Sequence, residues 1–260
     1  MSCIVQIFRY GSRRQGHKLS NIPRIPIHTK KVAELFDRVL PDKIDWESFY
    51  SQGKRNPPFL TDSPDENLVG YFEHGHLKPD RVIDLGCGTG RNAVFLAKSG
   101  CHVDAIDLSE TAIEKARLLA RRSEAKVHFI VGSIFDLALP GGQYDLAYDA
   151  GLLHHLQPHQ RPYYLEKVHA ILKPNGLFGM TCFDLTGGVP KEDWEIYEEG
   201  NMPPGIGYTE DRLRDILQHY FEIIEFRSMQ TQPEDSCLFG ISGLWAVLMK
   251  PLHSRQVSQE

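Results

Sequence analysis

Three glycines at alternate positions, in Asp84-Leu85-Gly86-Cys87-Gly88-Thr89-Gly90, are the residues of this 260-residue chain best spaced for chemistry. Glycine lets the backbone turn tightly and approach a ligand with no side chain in the way. An apolar run precedes them, and a helical pattern follows whose amino terminus points into the same space. Asp107 closes the next apolar run, 21 residues after Gly86, where a carboxylate can accept both hydroxyls of a ribose. A glycine-rich turn alone is a weak signal; with its strand, helix and acid it is a strong one. A dinucleotide fingerprint would read GxGxxG, but the third glycine comes one residue early and Arg91 takes its place. Asp84 would also repel a pyrophosphate, whereas it suits an amino group, directly or through water. The pattern favours a cationic nucleoside and leaves NAD as the weaker option.

A second set of candidates follows the fourth apolar run, in Asp149-Ala150-Gly151-Leu152-Leu153-His154-His155. Histidine titrates near neutrality, so one of the pair could take a proton from an acceptor. His154 is the candidate base; the bland alternative is that one ring packs under the loop and the other is solvated. Trp46, Phe49 and Tyr50 stand at i, i+3 and i+4 and would share a helical face. Trp46 is expected to pack on the sheet, while Tyr50 and Phe59 are candidates for an acceptor pocket. Trp194 and Tyr208, in a Pro- and Gly-rich stretch, are further acceptor candidates. The acids around Trp194 read as a solvated face, and no metal is expected.

The elements that must position these residues alternate from residue 80 onward between short apolar runs and amphipathic helical patterns. That alternation predicts an α/β fold, Rossmann-like and doubly wound around a mostly parallel sheet. Strands are expected at Val82–Leu85, His102–Ile106, Val127–Val131, Tyr144–Asp149 and Leu177–Phe183. Helices are expected at Gly90–Ser99, from a Ser109 cap to about Arg122, over roughly Pro158–Leu172 ended by Pro174 and Gly176, and near Thr209–His219. Two late strands, Phe221–Phe226 and Leu238–Met249, have no helix between them and predict a C-terminal antiparallel hairpin at one sheet edge. A single domain is expected over 41–250. Within it, 41–75 would be an N-terminal lid segment and 184–208 a cap over the acceptor. Residues 1–40 read as a basic extension and 251–260 as a tail.

Composition narrows the partners. Net charge is −5, so the fold as a whole is no electrostatic partner for nucleic acid. No stretch approaches the roughly 20 apolar residues needed to span a bilayer, so no membrane association is expected. Five scattered cysteines form no CxxC pair, which argues against a disulfide framework or a zinc site and for a cytoplasmic protein. Residues 1–31 contain no acid but carry Arg9, Arg13, Arg14, Lys18, Arg24, Lys30 and Lys31. Such a start suits a flexible tail, and less well a targeting peptide or a nucleic-acid arm.

The stretch Val82-Ile83-Asp84-Leu85-Gly86-Cys87-Gly88-Thr89-Gly90 resembles the first motif of the class I S-adenosylmethionine-dependent methyltransferases. Val103-Asp104-Ala105-Ile106-Asp107-Leu108-Ser109 resembles their second-strand motif, and Tyr144 to Asp149 their fourth-strand motif. Leu172-Lys173-Pro174-Asn175-Gly176 is similar to the turn before their fifth strand. The resemblance implies S-adenosylmethionine as cofactor, held by Asp84, Gly86, Gly88, Gly90, Asp107, Leu108, Ser133, Ile134 and Asp149. Ser133 stands where the family often carries an acid for the adenine amino group. The run from Asp45 to Leu68 is similar to the thiopurine, halide and tellurite branch, where this region folds over cofactor and acceptor. The activity implied is methyl transfer by direct displacement to a small-molecule acceptor, such as a thiol or another soft nucleophile. The alternatives are an RNA or protein methyltransferase guided by the basic tail, and a non-catalytic cofactor-binding protein.

Overall fold

The computed structural model describes residues 36–37, 44–52, 57–75 and 77–252. Most of the basic extension and nearly all of the C-terminal tail lie outside the described residues. Seven strands form one sheet in the order β3-β2-β1-β4-β5-β7-β6. They are β1 (Arg81–Leu85), β2 (His102–Asp107), β3 (Val127–Val131), β4 (Tyr144–Ala150), β5 (Leu172–Phe183), β6 (Phe221–Ser228) and β7 (Leu244–Pro251). All neighbours run parallel except β7, which is antiparallel to both β5 and β6. Strand order reverses between β1 and β4, so their carboxyl ends open the crevice in which such sheets bind ligands.

The central strands are apolar on both faces because helices cover both. In β1, Val82, Ile83 and Leu85 are fully buried. Around the sheet lie α1 (Trp46–Gln52), α2 (Glu66–Glu73), α3 (Arg91–Lys98), α4 (Glu110–Arg122), α5 (Gln160–Ile171), α6 (Asp193–Glu199) and α7 (Glu210–Leu217). Helix α4 shows the local logic. The Ser109 side chain caps it by accepting from the Ala112 N–H, Arg121 and Arg122 close its last turn, and Ile113, Ala116 and Ala120 face inward.

Two strand starts differ from expectation, each for a backbone reason. Helix α5 ends at Ile171, and β5 begins at once with Leu172 rather than Leu177. The residue pair before Pro174 is held extended, and the chain through Asn175 and Gly176 forms an irregularity in the register, with Tyr144 opposite Leu172 and Leu146 opposite Leu177. The last strand starts at Leu244 rather than Leu238, because Gly243 (φ +91°) turns the chain there. The late antiparallel pair does occupy a sheet edge, with β7 inserted between β5 and β6.

The domain also reaches back before residue 41. Asp37 accepts from Gln160 Nε2 at 2.7 Å and pairs with His159 Nε2 at 3.1 Å, and Phe36 packs against the rings of His159 and Tyr197. No helix among the described residues is long and apolar enough to cross a membrane.

Candidate functional site

The glycine loop leaves β1 through Gly86, Gly88 and Gly90, all left-handed at φ +68°, +53° and +87°. Their surroundings separate three tasks. A Cβ on Gly88 would stand 2.8 Å from the Tyr50 hydroxyl, and one on Gly86 would crowd Leu152 at 3.3 Å. A Cβ on Gly90 would meet that of Ala116 at 2.8 Å. Gly90, expected among the cofactor residues, therefore lets α3 approach α4 and lines no part of the site.

Two adjoining cavities open over this loop. The larger, about 660 Å³, runs from Gly86 and Gly88 past Tyr50, Phe59, Arg91 and Thr181 to Phe239 and Leu244. The smaller, about 410 Å³, is walled by Asp107, Leu108, Ser133, Ile134 and Asp136. Ile44, Trp46, Tyr50, Gly86 and His155 border both.

Asp107 joins the loop to the smaller cavity. Its Oδ2 accepts from the Gly88 N–H at 2.8 Å and its Oδ1 from the Ser109 N–H at 2.9 Å. Burial raises its pKa, and these two backbone donors work against the rise. Asp84 has no such help. Both its carboxylate oxygens are buried without a hydrogen-bond partner among the described residues, and burial next to Asp65 pushes its pKa up to about 8. A buried carboxylate of that kind fits a ligand bearing an ammonium group.

The lid lies over both cavities. Helix α1 is pinned through Glu47, which accepts from Ser109 Oγ at 2.6 Å and from the Thr111 hydroxyl and N–H. Lys115 Nζ donates to the Tyr50 carbonyl at 2.7 Å. Trp46, expected on the sheet, instead stands edge-on to His155 with 4.7 Å between ring centroids. Phe49 stacks with Phe59 at 6.0 Å, which brings Phe59 into the larger cavity.

Residues 82–176 match a family described as a methyltransferase domain. A probable thiol methyltransferase of Arabidopsis thaliana is 27% identical over 180 residues, covering 66% of this chain and 79% of the relative. A thiocyanate methyltransferase of Brassica oleracea is also 27% identical, over 65% of this chain and 77% of its own length. Among solved structures, the 1,6-didemethyltoxoflavin-N1-methyltransferase of Burkholderia thailandensis, with S-adenosylhomocysteine bound, superposes with a TM-score of 0.60. It is 22% identical and covers 85% of this chain and 90% of its own.

This chain is an S-adenosylmethionine-dependent methyltransferase. Its cofactor is S-adenosylmethionine; Asp84, expected at the cofactor, lies beneath the glycine loop and borders neither cavity. In this methyltransferase several expected site residues have other tasks. Asp149, expected at the cofactor, is fully buried and engaged by the N–H groups of Gly151, Leu152 and Leu153 and by the Tyr164 hydroxyl at 2.7 Å. It folds the loop that carries the histidines. Trp194 lies on α6 and is 59% exposed, away from both cavities. Tyr208 is fully buried, with the guanidinium groups of Arg161 and Arg212 over its ring. Both were acceptor candidates, and neither reaches the site; the part of the cap that does is Gly187, Gly188, Val189, Pro204 and Gly205.

His154 is buried and has no nitrogen free to act as a base. Its Nδ1 lies 3.2 Å from the Phe183 N–H, which can only donate, so the neutral ring carries its proton on Nε2. That Nε2 is 3.1 Å from His155 Nε2, which must then be the acceptor. Burial holds His154 well below the usual histidine range and His155 down to about 4, the latter offset in part by the Pro204 carbonyl. Sequence reasoning missed Arg91 and Asn92 as wall residues, as well as the Glu47 anchor. Only the position of Arg91 directly after the loop pointed to it.

Proposed function

We propose that this methyltransferase acts on a small soft nucleophile, a thiol in its thiolate form being the leading class. The observation that carries this reading is the histidine pair. Both rings are neutral, with three of their nitrogens turned on each other and on the Phe183 N–H, and the fourth, His155 Nδ1, left to carry that ring's proton. No base among the described residues then faces the larger cavity to remove a proton from a hydroxyl or an amine. A thiolate needs none. The largely apolar wall of Phe59, Phe183, Phe239, Ile241 and Leu244 also suits a polarisable acceptor. The names of the thiol and thiocyanate relatives agree with this class, as does the resemblance of the lid to the thiopurine, halide and tellurite branch.

When bound, S-adenosylmethionine supplies an electrophilic methyl group on a positively charged sulfur. What the chain contributes is placement and exclusion of water. In our assignment Asp84 receives the amino group, Gly86 and Gly88 let the chain come close, and Asp107 takes the ribose. Leu108, Ser133 and Ile134 border the base. Asp136, three residues after Ser133 and on the same cavity wall, supplies the acid missing at position 133. Tyr50 and the lid close over both ligands. The net charge of −5 supports a small acceptor over nucleic acid. Buried free thiols at Cys87, Cys101 and Cys182 support a reducing, cytoplasmic setting.

The test is a methyl-transfer screen with labelled S-adenosylmethionine over thiols, halides, tellurite, phenols and amines. Turnover is expected with thiols or halides and to rise with pH through the thiol's own pKa. Turnover confined to phenols or amines would overturn the reading.

A further inference from the structure

Arg91 is the first residue of α3, and its side chain is only 9% exposed. Its Nη1 donates to Asp65 Oδ1, and Asp65 is itself wholly buried. The Asp65 carboxylate is already well supplied, because Oδ2 accepts from Asn92 Nδ2 at 3.1 Å and from the Tyr148 hydroxyl at 2.8 Å. The guanidinium lies over the Phe239 ring, 4.3 Å from its centroid, and borders the larger cavity. Among the described residues, the bond to Asp65 is the only hydrogen bond the guanidinium makes. Four of its five N–H donors, unmatched among the described residues and open to the apolar cavity, are available to an acceptor group from a ligand.

We infer that Arg91 reads the negative charge of the methyl acceptor, holding it as an anion in the cavity between Phe59, Phe239 and Leu244. This rests on the proposed acceptor class and sharpens it from a soft nucleophile to one that binds already ionised. Location decides between the two anionic groups that could come here. The glycine loop borders the larger cavity too, so the cofactor's amino-acid end shares it with Arg91. The guanidinium, however, stands on the apolar side with Phe239, Ile241 and Leu244, while Asp107 and the base-side residues border only the smaller cavity. The acceptor, rather than the cofactor's carboxylate, is therefore assigned to it. In the transfer the acceptor's lone pair forms the bond to the methyl carbon as the bond from that carbon to the cofactor sulfur breaks. That electron pair stays on sulfur, and an acceptor that arrives ionised releases no proton. Asp65 and Phe239 fix the guanidinium plane, so the charge is placed before the acceptor enters.

The experiment uses the full chain loaded with S-adenosylhomocysteine and sodium thiocyanate as the probe anion, titrated calorimetrically at constant ionic strength. Millimolar or tighter binding is expected, lost at least tenfold in Arg91→Lys, which keeps the charge but not the planar fork. In turnover with a thiol that the screen identifies, Arg91→Lys is expected to raise KM about tenfold while the Kd for S-adenosylhomocysteine changes less than twofold. A matching loss of S-adenosylhomocysteine affinity would overturn the inference and place the cofactor carboxylate on Arg91. Unchanged thiocyanate binding would also overturn it and leave the guanidinium as a partner of Asp65 alone. Should Arg91→Lys fail to fold, the double variant Asp65→Asn, Arg91→Gln removes both buried charges together and is read by the same two titrations. If neither variant folds, the wild-type titration decides, and absence of thiocyanate binding overturns the inference. Because the titration needs no turnover, it stands apart from the acceptor screen: binding without thiol or halide turnover defeats the proposed function, and turnover without anion binding defeats only the role of Arg91.

Discussion

A carboxylate that carries a proton at neutral pH is a poor receptor for an ammonium ion, and that sets the behaviour expected of Asp84. Its pKa is pushed up to about 8 by burial, with the Asp65 charge adding to the effect. An incoming amino group gains full charge-assisted bonding only once that proton has left. The affinity for S-adenosylhomocysteine should therefore rise as pH is raised from 6 toward 8, and flatten above that. Calorimetry across that range checks it. Asp84→Asn should weaken binding by about 10- to 100-fold at pH 8, the worth of one hydrogen bond to a charged group, and should remove most of the pH dependence. Equal slopes in both proteins would show that another group titrates.

Asp84 also shows where sequence reading reaches its limit. Residue type and place in the motif pointed to a polar partner for an amino group, because a carboxylate before a glycine turn has little other use there. That Gly90 belongs to a helix contact, and Asp149 to a loop, depends on Ala116 and Tyr164, which lie 26 and 15 residues away in sequence. Periodicity carries no sign of such pairings. The same holds for His154. Its sequence context allows a base, but the Phe183 N–H that fixes its tautomer arrives from the neighbouring strand β5. Trp194 and Tyr208 had the right chemistry in the right segment, and only the burial pattern of the folded cap separates them from Val189 and Pro204.

At the scale of elements, Glu47 is the lid's anchor on α4, beside the bond from Lys115 to the Tyr50 carbonyl. Glu47 reaches from α1 to the amino end of α4, where its charge faces the helix's unpaired N–H groups and the hydroxyls of Ser109 and Thr111. Ser109 also donates its N–H to Asp107, so the lid anchor and the ribose carboxylate share one residue. Glu47→Ala removes the acceptor and leaves the Ser109 cap on α4 in place. The expectation is a lid that opens more often, with dissociation of S-adenosylhomocysteine faster by several-fold and little change in thermal stability. The anchor is exposed, and exposed charge pairs contribute little to folding. Stopped-flow fluorescence of Trp46, which packs on His155 in the closed lid, reads the rate. An unchanged off-rate would mean that the aromatic contacts and the Lys115 bond to the Tyr50 carbonyl hold α1 down without it. The spacing of Trp46, Phe49 and Tyr50 made a shared helical face readable beforehand. Its docking on α4 was not, because Glu47 looks like any solvated acid.

On the scale of the whole molecule, the histidine pair ties three segments into one body. His154 accepts from the end of β5, its carbonyl accepts from the Ile206 N–H of the cap at 2.9 Å, and its ring stacks on Phe183 at 3.9 Å. The bond from the Phe183 N–H requires an unprotonated Nδ1, and the bond between the two rings an unprotonated His155 Nε2. In the unfolded chain each histidine takes up a proton near pH 6.5, whereas in the folded protein His155 resists protonation down to about 4 and burial holds His154 well below the usual range as well. The unfolded state thus binds more protons below pH 6.5, and stability must fall as pH drops from there toward 4. Above 6.5 the pair adds no pH dependence, since both states are neutral. Each such histidine costs about 1.4 kcal/mol per pH unit within that window, an upper bound because partial opening relieves it. Thermal unfolding followed from pH 7.5 to 4.5 should show a falling Tm, with the slope below pH 6.5 reduced in His155→Gln, which can still accept a hydrogen bond but cannot be charged. Protease cleavage in 184–208 should increase over the same interval, since the cap loses its tie to β5 before the sheet loses its core. A slope untouched by the substitution would assign the acid sensitivity to other groups and leave the pair as packing alone.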